Sequence, residues 1–276
     1  MNYIKEKTIV VTGAASGFGR LVAQKVSALG ASVVVADINI EELAETLSSL
    51  ENPDNAISVV ADVADRNAVA QVSAEAIRRF GSIDIMLNNA GVMPLAFFRD
   101  HGVAAEAWDR CIDINIKGVL HGICAVHDQM ISQGHGHVIN VSSIYGNFPV
   151  VGAGVYGATK AAVNFLSESL RMESQGRIKV TTIKPTGVPA TGLGAGVVNR
   201  EAVIGILGAN MSAYAQQSEA MAAGQLPESQ LDPERIEYFA LEPDLLADQI
   251  VYAMNQPLGV SISELTVRAS GDAYIL

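Results

Sequence analysis

The strongest constraint on this chain is the regular alternation of short β-branched runs with segments of helical periodicity. Thr8-Ile9-Val10-Val11 is followed by a glycine-rich turn and then by Arg20 to Leu29, where Leu21, Val22, Val26 and Leu29 can share one helical face. Gly30 closes that helix, as a glycine past a helix end commonly does. Val33-Val34-Val35-Ala36 is apolar without alternation, the pattern of a strand covered on both faces. Ile40, Leu43, Leu47 and Leu50 then recur at helical spacing. The rhythm continues with strands over 57–61, 83–87, 138–141 and 180–183, and with helices over 68–80, 104–133, 158–173 and 245–254. Leu265-Thr266-Val267 is a candidate last strand. This alternation predicts right-handed crossovers and one parallel sheet wrapped by helices, a single doubly wound α/β domain over residues 1–276.

One segment breaks the rhythm. Thr191 to Leu241 is rich in Ala, Gly, Gln and Met, with helical stretches over 202–206 and 213–222. An insertion that long between core elements is more often functional than incidental. It is expected to be a helical lid over a substrate; a peripheral excursion or a subunit contact are the alternatives.

The formal charge of −11 on 276 residues, 49% of them hydrophobic, excludes disorder and allows a substantial core. It also opposes nucleic acid and anionic membrane surfaces, which require clustered Lys and Arg. No apolar run is long enough to predict a transmembrane helix. Lys5, Glu6 and Lys7 stand directly before the first strand, so no signal peptide is expected. Cys111 and Cys124 fall in one predicted helix, roughly 20 Å apart at about 1.5 Å per residue, too far for a disulfide. A cytoplasmic location is therefore expected. The five histidines, His101, His121, His127, His135 and His137, form no ligand-like set with carboxylates, so no metal is expected. His135-Gly136-His137 reads as a polar turn before a strand.

Thr12-Gly13-Ala14-Ala15-Ser16-Gly17-Phe18-Gly19 lies between the first strand and the first helix. Glycines there permit a tight turn and let backbone N–H groups approach a pyrophosphate at the helix N-terminus. Asp37 ends the second strand, where a carboxylate accepts hydrogen bonds from ribose hydroxyls and repels a 2′-phosphate. Neither Ser16 nor Ile38 supplies a cation for that phosphate, so NAD is expected over NADP.

These motifs resemble the short-chain dehydrogenases/reductases, in their short single-domain branch. Thr12 to Gly19 has that family's T-G-x-x-x-G-x-G form, and further marks follow in order: Asp62-Val63, Asn88-Asn89-Ala90-Gly91, Asn115, Ser142-Ser143, Tyr156-Gly157-Ala158-Thr159-Lys160 and Lys184-Pro185. The resemblance implies a Rossmann-type parallel sheet with helices on both faces. It implies that Gly13, Ser16, Gly17, Phe18 and Gly19 hold the cofactor phosphates, and that Asp62 and Val63 meet the adenine. Asn89, Ala90 and Gly91 would flank a ribose, and Pro185 and Val188 the nicotinamide. It further implies that Ser143 bonds the substrate oxygen, Lys160 also holds the nicotinamide ribose, and Asn115 supports a proton-relay water. A homo-oligomer, tetramer or dimer, is implied through the helices around 118–130 and 164–172.

Tyr156 and Lys160 are four residues apart, so both project from one helical face. A phenol with pKa near 10 is a poor base at neutral pH, and a nearby cation is expected to lower it. Such a pair can exchange a proton with a substrate hydroxyl. The expected reaction is hydride transfer between NAD and the carbonyl or secondary alcohol of a small substrate. The family's Pro-Gly reads Pro185-Thr186 here, and its later threonine is replaced by Ala190 with Thr191 one step late. Segments 93–95, 144–155 and 191–241 are expected to set the substrate; they contain Phe148, Val150, Val151, Leu193 and Val197, and no arginine cluster apart from Arg200 and Arg235. An uncharged, apolar ketone or alcohol follows. Met211 and Met221 are expected to line a core or lid, and the tail Tyr274-Ile275-Leu276 to pack on a neighbour or on its own subunit. A non-catalytic NADH-sensing regulator is the competing reading, opposed by the presence of Asn115, Ser143, Tyr156 and Lys160 together.

Overall fold

Seven parallel strands organise the chain in the computed structural model, which describes residues 1–189 and 191–275. They are β1 (Thr8–Thr12), β2 (Ser32–Asp37), β3 (Ala56–Val60), β4 (Ile85–Asn88), β5 (Gly136–Val141), β6 (Ile178–Pro185) and β7 (Glu264–Val267). Their order across the sheet is β3-β2-β1-β4-β5-β6-β7, with every neighbouring pair parallel. The order reverses between β1 and β4, and a doubly wound sheet binds ligands beyond the carboxyl ends of its strands at that crevice. Ala190 and Leu276, singled out above, lie outside the described residues.

The helices in chain order are α1 (Gly17–Ala28), α2 (Ile40–Ser48), α3 (Arg66–Phe80), α4 (His101–Ile112), α5 (Gly118–Gln133), α6 (Gly154–Glu173), α7 (Ile204–Leu207), α8 (Met211–Ala222), α9 (Glu228–Leu231) and α10 (Pro243–Met254). Successive strand residues point to opposite faces, so an all-apolar strand feeds two cores. Ile9, Val11, Val33 and Val35 pack with Val22 and Val26 of α1, Leu43 of α2 and Ile250 of α10. Val10, Val34 and Ala36 pack on the other face with Val72 of α3, Val126 of α5 and Val163 of α6. This double burial is why the strands lack alternation.

Local differences from expectation have local causes. The predicted helix over 104–133 starts at His101 and contains a π turn, Asp113–Lys117, between α4 and α5. Helix α6 starts at Gly154 rather than at Ala158, which places Tyr156 in its first turn. Strand β4 begins at Ile85, one residue after Asp84, whose backbone still bonds Thr8 O and His137 N while its carboxylate accepts from Thr8 N at 2.9 Å and pairs with Lys7 at 2.9 Å. His137 is a strand residue of β5 and not part of a turn; its Nε2 lies 2.8 Å from Thr181 Oγ1, and burial drives the imidazole down to about 3. Cys111 is buried, Cys124 exposed, and both are free. Among the described residues no helix is long and apolar enough to cross a membrane, and no group of three His, Cys, Asp or Glu could hold a metal.

Candidate active site

The loop after β1 folds as its glycines dictate. Gly13 has φ +64°, and a Cβ there would come within 2.8 Å of Ala90 Cα. The loop is thereby pressed against the segment following β4. Asn89 holds it, donating from Nδ2 to Thr12 O at 3.0 Å and Gly13 O at 3.1 Å. Gly19 packs so closely on the Gly13 carbonyl that no side chain fits. Gly17, at φ +52°, faces open space.

From this loop a cavity of about 670 Å³ runs to the start of α6. At its first end stand Gly13, Ser16, Gly17, Phe18, Asp37, Asp62 and Val63; Asn89, Ala90 and Gly91 follow; Ser143, Tyr156, Lys160, Pro185 and Val188 stand at its other end. Two of the candidate cofactor-binding and catalytic residues do not line it: Gly19, packed beneath the loop, and Asn115, which is buried. Asp37 accepts from Ala15 N and Asn39 N, each at 3.1 Å, which fixes the carboxylate at the cavity edge with acceptor capacity to spare. The nearby cation Arg20 is turned away, donating to Thr46 Oγ1 at 2.9 Å and Glu42 O at 3.2 Å. Asp62 accepts from Ala64 N at 2.9 Å.

Ser143 follows β5, and its Oγ accepts from Tyr145 N at 3.3 Å. The Tyr156 phenol shares the cavity wall with Ser143. Lys160 donates from Nζ to Val141 O at 2.8 Å and stands 5.8 Å from the Tyr156 ring centre. Asn115, in the π turn, acts as a bracket. Its Oδ1 accepts from Val92 N at 2.9 Å, while Nδ2 donates to Val92 O at 2.9 Å and to Thr159 Oγ1 at 3.1 Å. The amide therefore ties the strand-end loop to α6, and its polar atoms are committed to protein partners.

The expected lowering of the Tyr156 phenol by Lys160 is not what governs this cluster. Burial pushes the phenol up, against the opposing influence of Ser143. Burial also pulls Lys160 down to about 8. Tyr156 is thus a protonated phenol across the neutral range.

Other residues of the cavity wall carried no local signal. Tyr145 packs edge-on to Tyr156 with ring centres 5.5 Å apart. Arg110, Tyr214 and Tyr274 also line the cavity. Tyr274 arrives because the tail is pinned to the 191–241 segment: Ile275 N donates to Ile206 O at 3.0 Å, and Asn210 Nδ2 to Ala273 O at 2.9 Å. The tail thus packs on its own subunit. Leu193 and Val197 line the cavity as expected; Thr191 lines it too, its Oγ1 donating to Val188 O at 3.2 Å. Phe148 and Val151 do not; they are 62% and 66% exposed. Arg200 and Arg235 are exposed and away from the wall, so they place no cation there.

The family model of the short chain dehydrogenases matches residues 7–202. The chain belongs to this family. This short-chain dehydrogenase is 34% identical over 268 residues to an uncharacterized oxidoreductase of Staphylococcus epidermidis, covering 97% of this chain and 99% of the relative. The closed form of a serine dehydrogenase complexed with NADP+ is similar with a TM-score of 0.74 at 29% identity, over 94% of each chain. A short-chain dehydrogenase/reductase of Burkholderia phymatum in complex with NAD is similar with a TM-score of 0.74 at 26% identity, over 96% of this chain and 90% of that one. Neighbours of this fold thus bind nicotinamide dinucleotides of both kinds. The cavity fits such a group: its glycine loop leaves a backbone-lined cradle, and Thr186 Oγ1 is buried at the β6 end without a hydrogen-bond partner.

Proposed function

We propose that this oxidoreductase transfers a hydride between NAD and the carbonyl or secondary alcohol carbon of a small, uncharged, apolar substrate, with Tyr156 as general acid and base. The observation that carries this reading is that Ser143, Tyr156 and Lys160, each under a tenth exposed, share the wall of the cavity that begins at the glycine loop.

A bound nicotinamide dinucleotide would supply or accept the hydride. Gly13, Ser16, Gly17 and Phe18 would hold its pyrophosphate through backbone N–H groups at the start of α1, where the helix dipole favours anions. Asp62 and Val63 would meet the adenine, and Asn89, Ala90 and Gly91 would flank the ribose. Pro185, Thr186 and Val188 would border the carboxamide, with the Thr186 hydroxyl free to bond it. Asp37 supports NAD over NADP, because its carboxylate would accept from ribose hydroxyls and repel a 2′-phosphate, while Arg20 is committed elsewhere.

In the reductive direction, as a hydride from the bound dinucleotide would add to the carbonyl carbon and the C=O π pair move to oxygen, Tyr156 would deliver its phenolic proton to that oxygen. The phenol, pushed up by burial, holds the proton that this step requires. Ser143 would orient the substrate oxygen, and Lys160 would hold the nicotinamide ribose and offset the phenolate that forms. Asn115 acts as a positioning residue, through its bracket between residue 92 and α6. The 191–241 segment closes the substrate end as a lid, and the exposed apolar side chains Leu120, Phe165 and Met172 on α5 and α6 support a subunit interface.

Tyr156→Phe tests the reading. NADH-dependent reduction of ketones by this variant should fall roughly a hundredfold or more, while NADH binding measured by fluorescence is retained. Activity above a few per cent of the starting value would overturn the role given to Tyr156.

A further inference from the structure

Beyond the active-site cavity lies a second one, and the two share a wall. The second cavity, of about 350 Å³, is bounded by Tyr214, Tyr274, Gly187 and Pro189, all of which also line the first. Tyr214 and Tyr274 stand between them with ring centres 6.0 Å apart at 55°. Tyr274 lies so close on the backbone at Gly187 that a side chain there would collide with its hydroxyl. The pair is the threshold from one chamber to the other.

The far chamber is walled by the inner stripe of α8. Tyr214, Ser218, Met221 and Ala222 recur at the spacing of one helical face, opposite Phe239 and Ala273. That stripe is the face a surface helix normally buries in a core, yet α8 contains no buried residue. Its inner face borders an apolar hollow that opens to solvent at Met221 and Ala222, both exposed. Apolar surface left in contact with water is favourable to cover, at roughly 25 cal/mol per Å² removed from water. Among the described residues no charged side chain lines this chamber, and its polar groups are the Ser218 hydroxyl and the two phenols. A volume of about 350 Å³ falls in the range of small-molecule pockets, roughly 300–1,000 Å³, which are mostly apolar with a few polar groups.

We propose that the chamber behind the Tyr214–Tyr274 pair is a distal subsite for an uncharged hydrocarbon arm of the substrate, reached through the tyrosine threshold while the carbonyl stays at Tyr156. It rests on the hydride-transfer reading and narrows its substrate to ketones or alcohols with a long apolar arm. Alignment of that arm by two rigid rings and an apolar chamber selects by length, because each methylene that leaves water for the chamber raises kcat/KM about fourfold.

The test uses the intact protein with NADH and the series butanone, octan-2-one and undecan-2-one. Turnover is followed by NADH absorbance, and binding in parallel by calorimetry on the NADH-loaded protein. The kcat/KM ratio of octan-2-one to butanone should exceed tenfold, and Ala222→Trp, which fills the chamber, should lower that ratio at least tenfold. Met221→Trp serves the same purpose should Ala222→Trp fail to fold. Tyr274→Ala, which joins the chambers, should instead raise turnover of ketones bearing a phenyl ring at the end of the arm. A ratio near one, or a steep ratio that both filling variants leave untouched, overturns the subsite and leaves hydride transfer standing. Length-dependent binding that the filling variants abolish, without turnover of any ketone, supports the subsite and overturns hydride transfer. Neither binding nor turnover overturns both.

Discussion

The two ends of the active-site cavity are built on opposite principles. At the nucleotide end the wall is largely backbone, shaped by Gly13, Gly17 and Gly19 and locked by Asn89 to the carbonyls of Thr12 and Gly13. At the substrate end the wall is side chain, above all Tyr145, Tyr214 and Tyr274, contributed by three distant parts of the chain. Backbone walls recognise what every dinucleotide shares, a pyrophosphate and ribose, and tolerate little change. Side-chain walls can be rebuilt one residue at a time without disturbing the sheet. The contrast explains how one fold keeps a cofactor constant while its substrates vary.

The largest expected effect lies at the nucleotide end. Gly19→Ala places a methyl group against the Gly13 carbonyl, a collision that costs roughly 3 kcal/mol and should weaken NADH at least a hundredfold in a fluorescence titration. Unchanged NADH affinity would show that the loop is not the cofactor cradle.

Next comes Lys160, where the ends meet. Its ammonium is pulled from 10.5 to about 8 by burial, so the folded protein carries that charge at a cost of about 3 kcal/mol at neutral pH. Between about pH 8 and 10.5 the unfolded chain keeps a proton that the folded chain has released, so this cost is relieved as pH rises through that window. Lys160→Met should therefore be inactive yet more stable in urea at pH 7, with the gain shrinking toward pH 10.5. A less stable variant at pH 7 would mean that the bond to Val141 O outweighs the desolvation.

Asp37→Asn removes one charge and should cost about 2 kcal/mol of NADH discrimination, roughly thirtyfold in the ratio of kcat/KM for NADH over NADPH. An unaltered ratio would move cofactor choice elsewhere. The smallest effect belongs to the tail: Asn210→Ala loses one exposed hydrogen bond to Ala273 O, about 1 kcal/mol, and should shift ketone KM while leaving the NADH Kd alone. An equal change in both would erase the separation between the ends.

The same contrast decides what could be read from sequence. Strands β1 to β6 and the helices between them announce themselves through local apolar runs, because each must bury two faces or one stripe. Asp37, Ser143, Tyr156 and Lys160 were legible because motif spacing along a strand–turn–helix unit is also spatial spacing. Tyr274 was not, since its place depends on hydrogen bonds from the tail to Ile206 and Asn210, which no spacing encodes. The exposure of Phe148 and Val151 was hidden for the same reason, since the 144–155 segment gives no sign of which side faces the cavity. The proton affinity of Tyr156 depended on burial, which the four-residue interval to Lys160 cannot report.

The π turn at Asp113–Lys117 carries one more consequence. A helix advances about 100° per residue, so one extra residue in a turn sets the two flanking helices out of phase by that angle. Helix α4 buries Ala104 and Cys111, whereas α5 buries Val119, Ile123, Val126 and Met130 against the sheet. Deleting any single residue between 112 and 118 would restore an even winding and swing that whole α5 stripe toward solvent. This short stretch therefore cannot change length without turning α5, although nothing in its composition warns of it.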